Sequence, residues 1–187
     1  MSEPQVKGIA FKGILAALER LHGKPTLEAV KHELPPGVAR LIEYRAIVTG
    51  NWYPLSQYAL MFEAVKKVLK RGPDVARELS REATLDDFRG IYRILTFVLS
   101  PEFLMKRAPG IWSRYYDSGR IEVLDARDGY AIAKWSDCRG FNRTLWEDAF
   151  GGAQAILEAC GARDVRWTVL AGGDDGDERA EIMAHWS

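Results

Sequence analysis

At 187 residues the chain can bury roughly 70% of its unfolded surface, and its 26 basic residues against 26 acidic ones leave no net field to draw in nucleic acid or an anionic membrane. Two cysteines in so apolar a chain argue against a disulfide scaffold, and no apolar run nears the ~18 residues that span a bilayer. The opening Met-Ser-Glu-Pro-Gln-Val-Lys lacks the basic region and apolar run of a signal peptide, so a soluble, cytoplasmic protein is expected, without nucleic-acid partners.

From Gln5 to Leu21, Phe11, Ile14, Leu15, Leu18 and Leu21 recur at helical spacing, and Gly23-Lys24-Pro25 stops the pattern. Thr26 opens a short helix to about Glu33, Pro35-Pro36 ends it, and Val38 to Tyr44 adds a further turn or two. Gly50-Asn51-Trp52-Tyr53-Pro54 must loop, because the residue before a proline is driven out of the helical region. The next helix places Tyr58, Met61, Phe62, Val65, Val68 and Leu69 on one face. Gly72-Pro73 breaks it, a polar helix runs to about Glu82, and Thr84 with Asp87 three residues on predicts the cap of a separate helix to Leu99. That helix would bury Phe88, Ile91, Tyr92, Leu95 and Val98. Ser100-Pro101 then leads into a segment holding Phe103, Leu104, Trp112, Tyr115 and Tyr116, ended by Gly119.

After Gly119 the period changes from 3.6 to 2. Ile121 and Val123 alternate with Arg120 and Glu122, and a turn at Asp128-Gly129 predicts a hairpin into Tyr130, Ile132 and Trp135. Asn142 is placed to cap a helix whose stripe is Leu145, Trp146, Ala149, Phe150, Ala153, Ile156, Leu157 and Cys160, closed by Gly161. Two last strands carry Val165, Trp167 and Val169, then Ala180, Ile182, Ala184 and Trp186, joined by the polar connector Gly172 to Asp177. The whole predicts one α+β domain over 1–187, a helical N-terminal layer packed on a small C-terminal antiparallel sheet.

The chemistry-bearing residues are dispersed. His22, His32 and His185 do not pair, Cys160 falls on an apolar stripe, and Cys138 sits near a turn as a modifiable thiol; no metal and no cofactor is expected. Gly151-Gly152 inside a helix calls for compensation, by close helix-on-sheet packing or by a ligand touching bare backbone. The aromatic set Trp52, Tyr53, Tyr58, Phe62, Phe88, Tyr92, Trp112, Tyr115 and Tyr116 has two readings: plain core, or the walls of a pocket between helices.

Asn51-Trp52-Tyr53-Pro54, Gly90-Ile91-Tyr92, Ser100-Pro101-Glu102, Trp112-Ser113-Arg114-Tyr115-Tyr116 and Gly119 together resemble an uncharacterised bacterial paralogous family of myxobacterial type. The end, from Gly151-Gly152 through Cys160-Gly161-Ala162 and Gly172-Gly173-Asp174 to Trp186, is similar to the close of vinyl-reductase-like and haem-NO-binding-like small-ligand domains. The resemblance implies a fold shared by haem-NO sensors, vinyl-reductase-like sensory domains and TRAPP-type trafficking subunits. Two departures matter: no histidine lies between His32 and His185 to serve as an axial ligand, and no cysteine cluster near the end can hold zinc. The expectation is a non-enzymatic sensory or regulatory domain taking a small apolar or aromatic molecule among the nine aromatics. The alternative is an interaction module acting as a homodimer or docking on a protein partner.

Overall fold

The computed structural model describes residues 2–43, 46–90, 103 and 107–187. Val6 is fully buried within β1 (Gln5–Lys7), which pairs antiparallel with β2 (Trp52–Pro54). The helix expected from Gln5 therefore starts later, as α1 (Gly8–His22). A three-residue strand is too short to display a period of two, so the sequence does not announce it. Next come α2 (Lys24–Glu33), α3 (Pro36–Glu43) and α4 (Leu55–Leu69), and α4 buries Tyr58, Met61, Phe62 and Val65 as its spacing requires.

The break expected between Glu82 and Thr84 does not occur, because α5 runs without interruption over Asp74–Gly90. No proline lies between, Thr84 costs a helix interior only a fraction of ~1 kcal/mol, and the packing face of Val75, Ala76 and Leu79 is completely buried. Ile91, Tyr92, Leu95 and Val98, expected on the same stripe as Phe88, lie outside the described residues. A short helix, α6 (Ala108–Trp112), precedes the main sheet.

That sheet has the order β3-β4-β6-β5, antiparallel throughout, from β3 (Arg120–Arg127), β4 (Tyr130–Ser136), β5 (Arg166–Gly172) and β6 (Ala180–His185). Its inner face is built from Ala131, Ala133 and Trp135 opposite Ala184, Ile182 and Ala180. On edge strand β5 a register shift lies between Val169 and Ala171, and Val169, expected on one face with Trp167, is exposed while Trp167 stays half-buried.

Between the two hairpins lies α7 (Arg143–Ala159). Asn142 caps it, its Oδ1 accepting the Leu145 N–H at 2.9 Å. The acidic connector serves the same end: Asp175 Oδ1 accepts the Arg143 N–H at 2.8 Å, and Asp174 pairs with the Arg143 guanidinium at 2.7 Å. Gly151 faces α5, not the sheet. A Cβ there would lie 2.3 Å from the Arg77 carbonyl oxygen, so its compensation is helix-on-helix packing. Arg77–Glu147 and Arg81–Glu158 ion pairs, each at 2.7 Å, flank that contact. Cys138, expected as a modifiable thiol, is fully buried, and burial pushes its pKa up to about 12. Among the described residues no helix is long and apolar enough to cross a membrane.

Candidate ligand-binding cavity

The helical layer and the sheet do not close completely on each other. Between them lies a cavity of about 110 Å³, bounded by α1, α5, α6 and α7 and floored by the sheet. For scale, an apolar cavity of about 150 Å³ takes up benzene. Gly13 of α1 lets that helix approach α5, where an added Cβ would lie 3.2 Å from the Ala83 Cβ, whereas Gly152 of α7 borders the space, an added Cβ meeting nothing nearer than Ser80 Oγ at 3.5 Å. Gly152 is thus the partner of Gly151 in sequence and its opposite in role: one admits a helix backbone, the other borders empty space.

Five of the nine expected aromatics stand in the walls: Tyr58, Phe88, Trp112, Tyr115 and Tyr116. Trp112 stacks on Tyr116 with ring centroids 4.4 Å apart, and its indole N–H donates to the Ser118 carbonyl at 3.0 Å. Phe62 is buried beside Tyr58 at 5.0 Å but belongs to the solid core. Tyr53 packs edge-on against Phe11, and its hydroxyl accepts the Val48 N–H at 2.8 Å. Trp52 is 36% exposed with Lys7 Nζ 4.2 Å above its ring, on the outside of the molecule. Tyr92 lies outside the described residues.

Sequence reasoning missed the polar side of the site. Asp148 sits on the buried face of α7, three residues after Leu145, and accepts hydrogen bonds from the hydroxyls of Tyr58 at 3.1 Å, Tyr116 and Ser80. Four segments meet at this one carboxyl: α4, α5, the turn after α6, and α7. Complete burial raises its pKa to about 6, although all three hydroxyl bonds favour the ionised form. Burial beside a carboxylate pushes the Tyr58 and Tyr116 phenols well above their ordinary range. The available signal was a charged residue inside the Leu145, Ala149 and Gly152 stripe, which demands partners when buried.

A second carboxyl, Asp87 of α5, is half-buried on the wall and bonded by Tyr115; desolvation raises its pKa. From the sheet come Trp135 and Trp167. The indole N–H of each is buried and finds no acceptor among the described residues.

Comparison with solved structures reproduces this architecture. An H-NOX protein from S. oneidensis in the Fe(II)NO ligation state aligns with a TM-score of 0.72 at 13% identity, covering 97% of this chain and 99% of that one. The Fe(II) unliganded H-NOX protein from K. algicida gives 0.69 at 9% identity, covering 97% and 96%. An oxygen-binding H-NOX domain related to soluble guanylate cyclases gives 0.69 at 13% identity, covering 97% and 95%. At such identities the likeness is one of fold. No protein-family model and no curated protein matches the chain.

Proposed function

We propose that this chain is a non-enzymatic sensory or regulatory domain that binds a small, largely apolar molecule in the cavity between its helical layer and its sheet. The observation that carries the reading is the cavity itself, walled by aromatic rings and holding a few convergent polar groups in an otherwise apolar lining, the usual make-up of a small-ligand site. The interaction-module alternative called for the same rings to be packed solidly. The hydroxyl protons of Tyr58, Tyr116 and Ser80 are all committed to Asp148, so none of these three is a nucleophile with a free base beside it.

Haem, the group named for a further solved structure of this fold that aligns with a TM-score of 0.68 at 13% identity, does not suit these walls. Histidine, cysteine and methionine, its common axial ligands, are absent from the described lining, and Tyr58 and Tyr116 are held by Asp148. His22 ends α1, His32 lies in α2 and His185 closes β6 against the Tyr130 ring. Titrating the purified protein with hemin is expected to leave free-hemin absorbance; a sharp, stoichiometric Soret band would contradict this.

The direct test is a thermal-shift screen of aromatic and alicyclic compounds. A ligand at a hundredfold excess over Kd stabilises by about 2.7 kcal/mol, which in a chain of this size raises Tm by roughly 5 to 11 °C. Ala153→Phe, which places a ring in the cavity, is expected to abolish the rise. Trp52→Ala, outside the walls, is expected to keep it. No rise with any compound, or a rise that survives Ala153→Phe, would overturn the proposal.

A further inference from the structure

The charge on the cavity walls is of one sign. Asp87 and Asp148 both border the space, whereas no lysine, arginine or histidine does so among the described lining residues. Asp148 already accepts from three hydroxyls that reach it from three other segments. Asp87 is different: it is half-buried on α5, bonded by Tyr115, and retains further lone pairs directed from a wall shared with Thr84 and the Phe88 ring. An anionic ligand would meet two carboxylates with no cation among the described lining residues to compensate them. A cationic one would meet a carboxylate and the faces of aromatic rings, which attract positive charge.

A second observation points to a polar ligand over a pure hydrocarbon. Trp135 is 1% exposed and its ring forms part of the wall, yet its indole N–H has no acceptor among the described residues; Trp167, also in the wall, is in the same condition. Buried indole donors ordinarily find a partner. An oxygen atom on the guest can supply one, whereas an ammonium nitrogen, which only donates, cannot, so the indoles call for a second polar atom beside any cationic group.

Resting on the cavity reading above, we infer that the site selects small aromatic or alicyclic amines, bound as ammonium ions with the charge at Asp87 and the ring among Phe88, Trp112, Tyr115 and Trp135, and that it rejects carboxylates. The role of Asp87 is recognition by charge, while Asp148 holds the surrounding segments in place.

Three probes of one shape and different charge test this at pH 7.5: 2-phenylethylamine, 2-phenylethanol and 3-phenylpropanoate, each titrated calorimetrically into the full chain. The amine is expected to bind at least tenfold more tightly than the alcohol, and the carboxylate not measurably. Asp87→Asn, nearly isosteric, is expected to bring amine affinity to within about threefold of the alcohol's while leaving the alcohol's unchanged. If the alcohol binds as well as the amine, or the carboxylate binds best, the inference fails and the cavity reading stands. If none of the three binds, the inference fails, and the thermal-shift screen with its Ala153→Phe control decides the cavity reading separately. Should Asp87→Asn not fold, the ranking of the three probes on the parent protein decides alone.

Discussion

Gly151→Ala is expected to lower Tm by about 4 to 8 °C, while Gly152→Ala leaves it unchanged or raises it by a few degrees. Both substitutions remove a glycine from the middle of α7, so both gain the same intrinsic helix propensity, about 1 kcal/mol. They differ only in what the new methyl meets. At Gly151 it would lie 2.3 Å from the Arg77 carbonyl oxygen and 2.9 Å from the Arg77 Cα, both fixed parts of α5. Neither atom can step aside without moving the helix, and α5 and α7 are held together by the Arg77–Glu147 and Arg81–Glu158 pairs. Overpacking of this kind costs roughly 1 to 3 kcal/mol and, against backbone, sits at or above the top of that range. At Gly152 the methyl would lie 3.5 Å from Ser80 Oγ and 3.6 Å from Thr84 Oγ1, which is ordinary contact at the edge of open space. The two variants, melted side by side at pH 7, read the packing difference with propensity cancelled. Equal melting temperatures would mean that α5 and α7 do not touch at this glycine.

The pair also marks what the sequence could and could not convey. Two adjacent glycines in a periodic helix announced that something approaches α7 closely, because local propensity alone disfavours them. Which neighbour approaches depends on how α5 lies, and α5 was read as two helices because the Thr84 to Asp87 spacing imitates a cap. Long-range packing on α7 overrode that local signal. The stripe Leu145, Trp146, Ala149 and Phe150 was legible, since each side chain obeys the helical period and each is buried. Tyr58, Phe88, Trp112, Tyr115 and Tyr116 were legible as candidates because they cluster on neighbouring helical segments. Trp135 and Trp167 were not, because strand residues distant in sequence reach the cavity only once the sheet has formed. Nor did the string that led to Trp52 and Tyr53 carry the site. It builds the short β1–β2 pairing on the outer side, where Trp52 covers Lys7. Asp148 was hidden by its own identity, since a carboxylate is ordinarily assigned to the wet face of a helix, and only three hydroxyls from other segments make its burial tolerable.

The cost of that burial predicts a pH dependence of stability. Asp148 has an ordinary pKa of 3.8 and a folded value of about 6, so between these values the folded protein holds a proton that the unfolded chain has released. A carboxyl shifted upward therefore contributes most below pH 4, and its contribution falls as pH rises through 6 and then levels off. Over that window the loss is on the order of 2 kcal/mol for this fully buried group. The phenols that face it, Tyr58 and Tyr116, ionise far above the window and do not blur it. Glu147, the preceding residue, is also buried but is paired with Arg77 and Arg143. Asp148→Asn keeps the shape and an oxygen to accept from a tyrosine hydroxyl, but has no proton to release. Urea unfolding of parent and variant at pH 4, 5, 6 and 7 isolates the group, because the other carboxylates are common to both and cancel in the difference. The parent is expected to lose on the order of 2 kcal/mol relative to Asp148→Asn between pH 4 and pH 7. A difference that stays constant across the series, or that moves in the parent's favour as pH rises, would mean that the carboxyl is not sealed from water where Tyr58, Ser80 and Tyr116 converge.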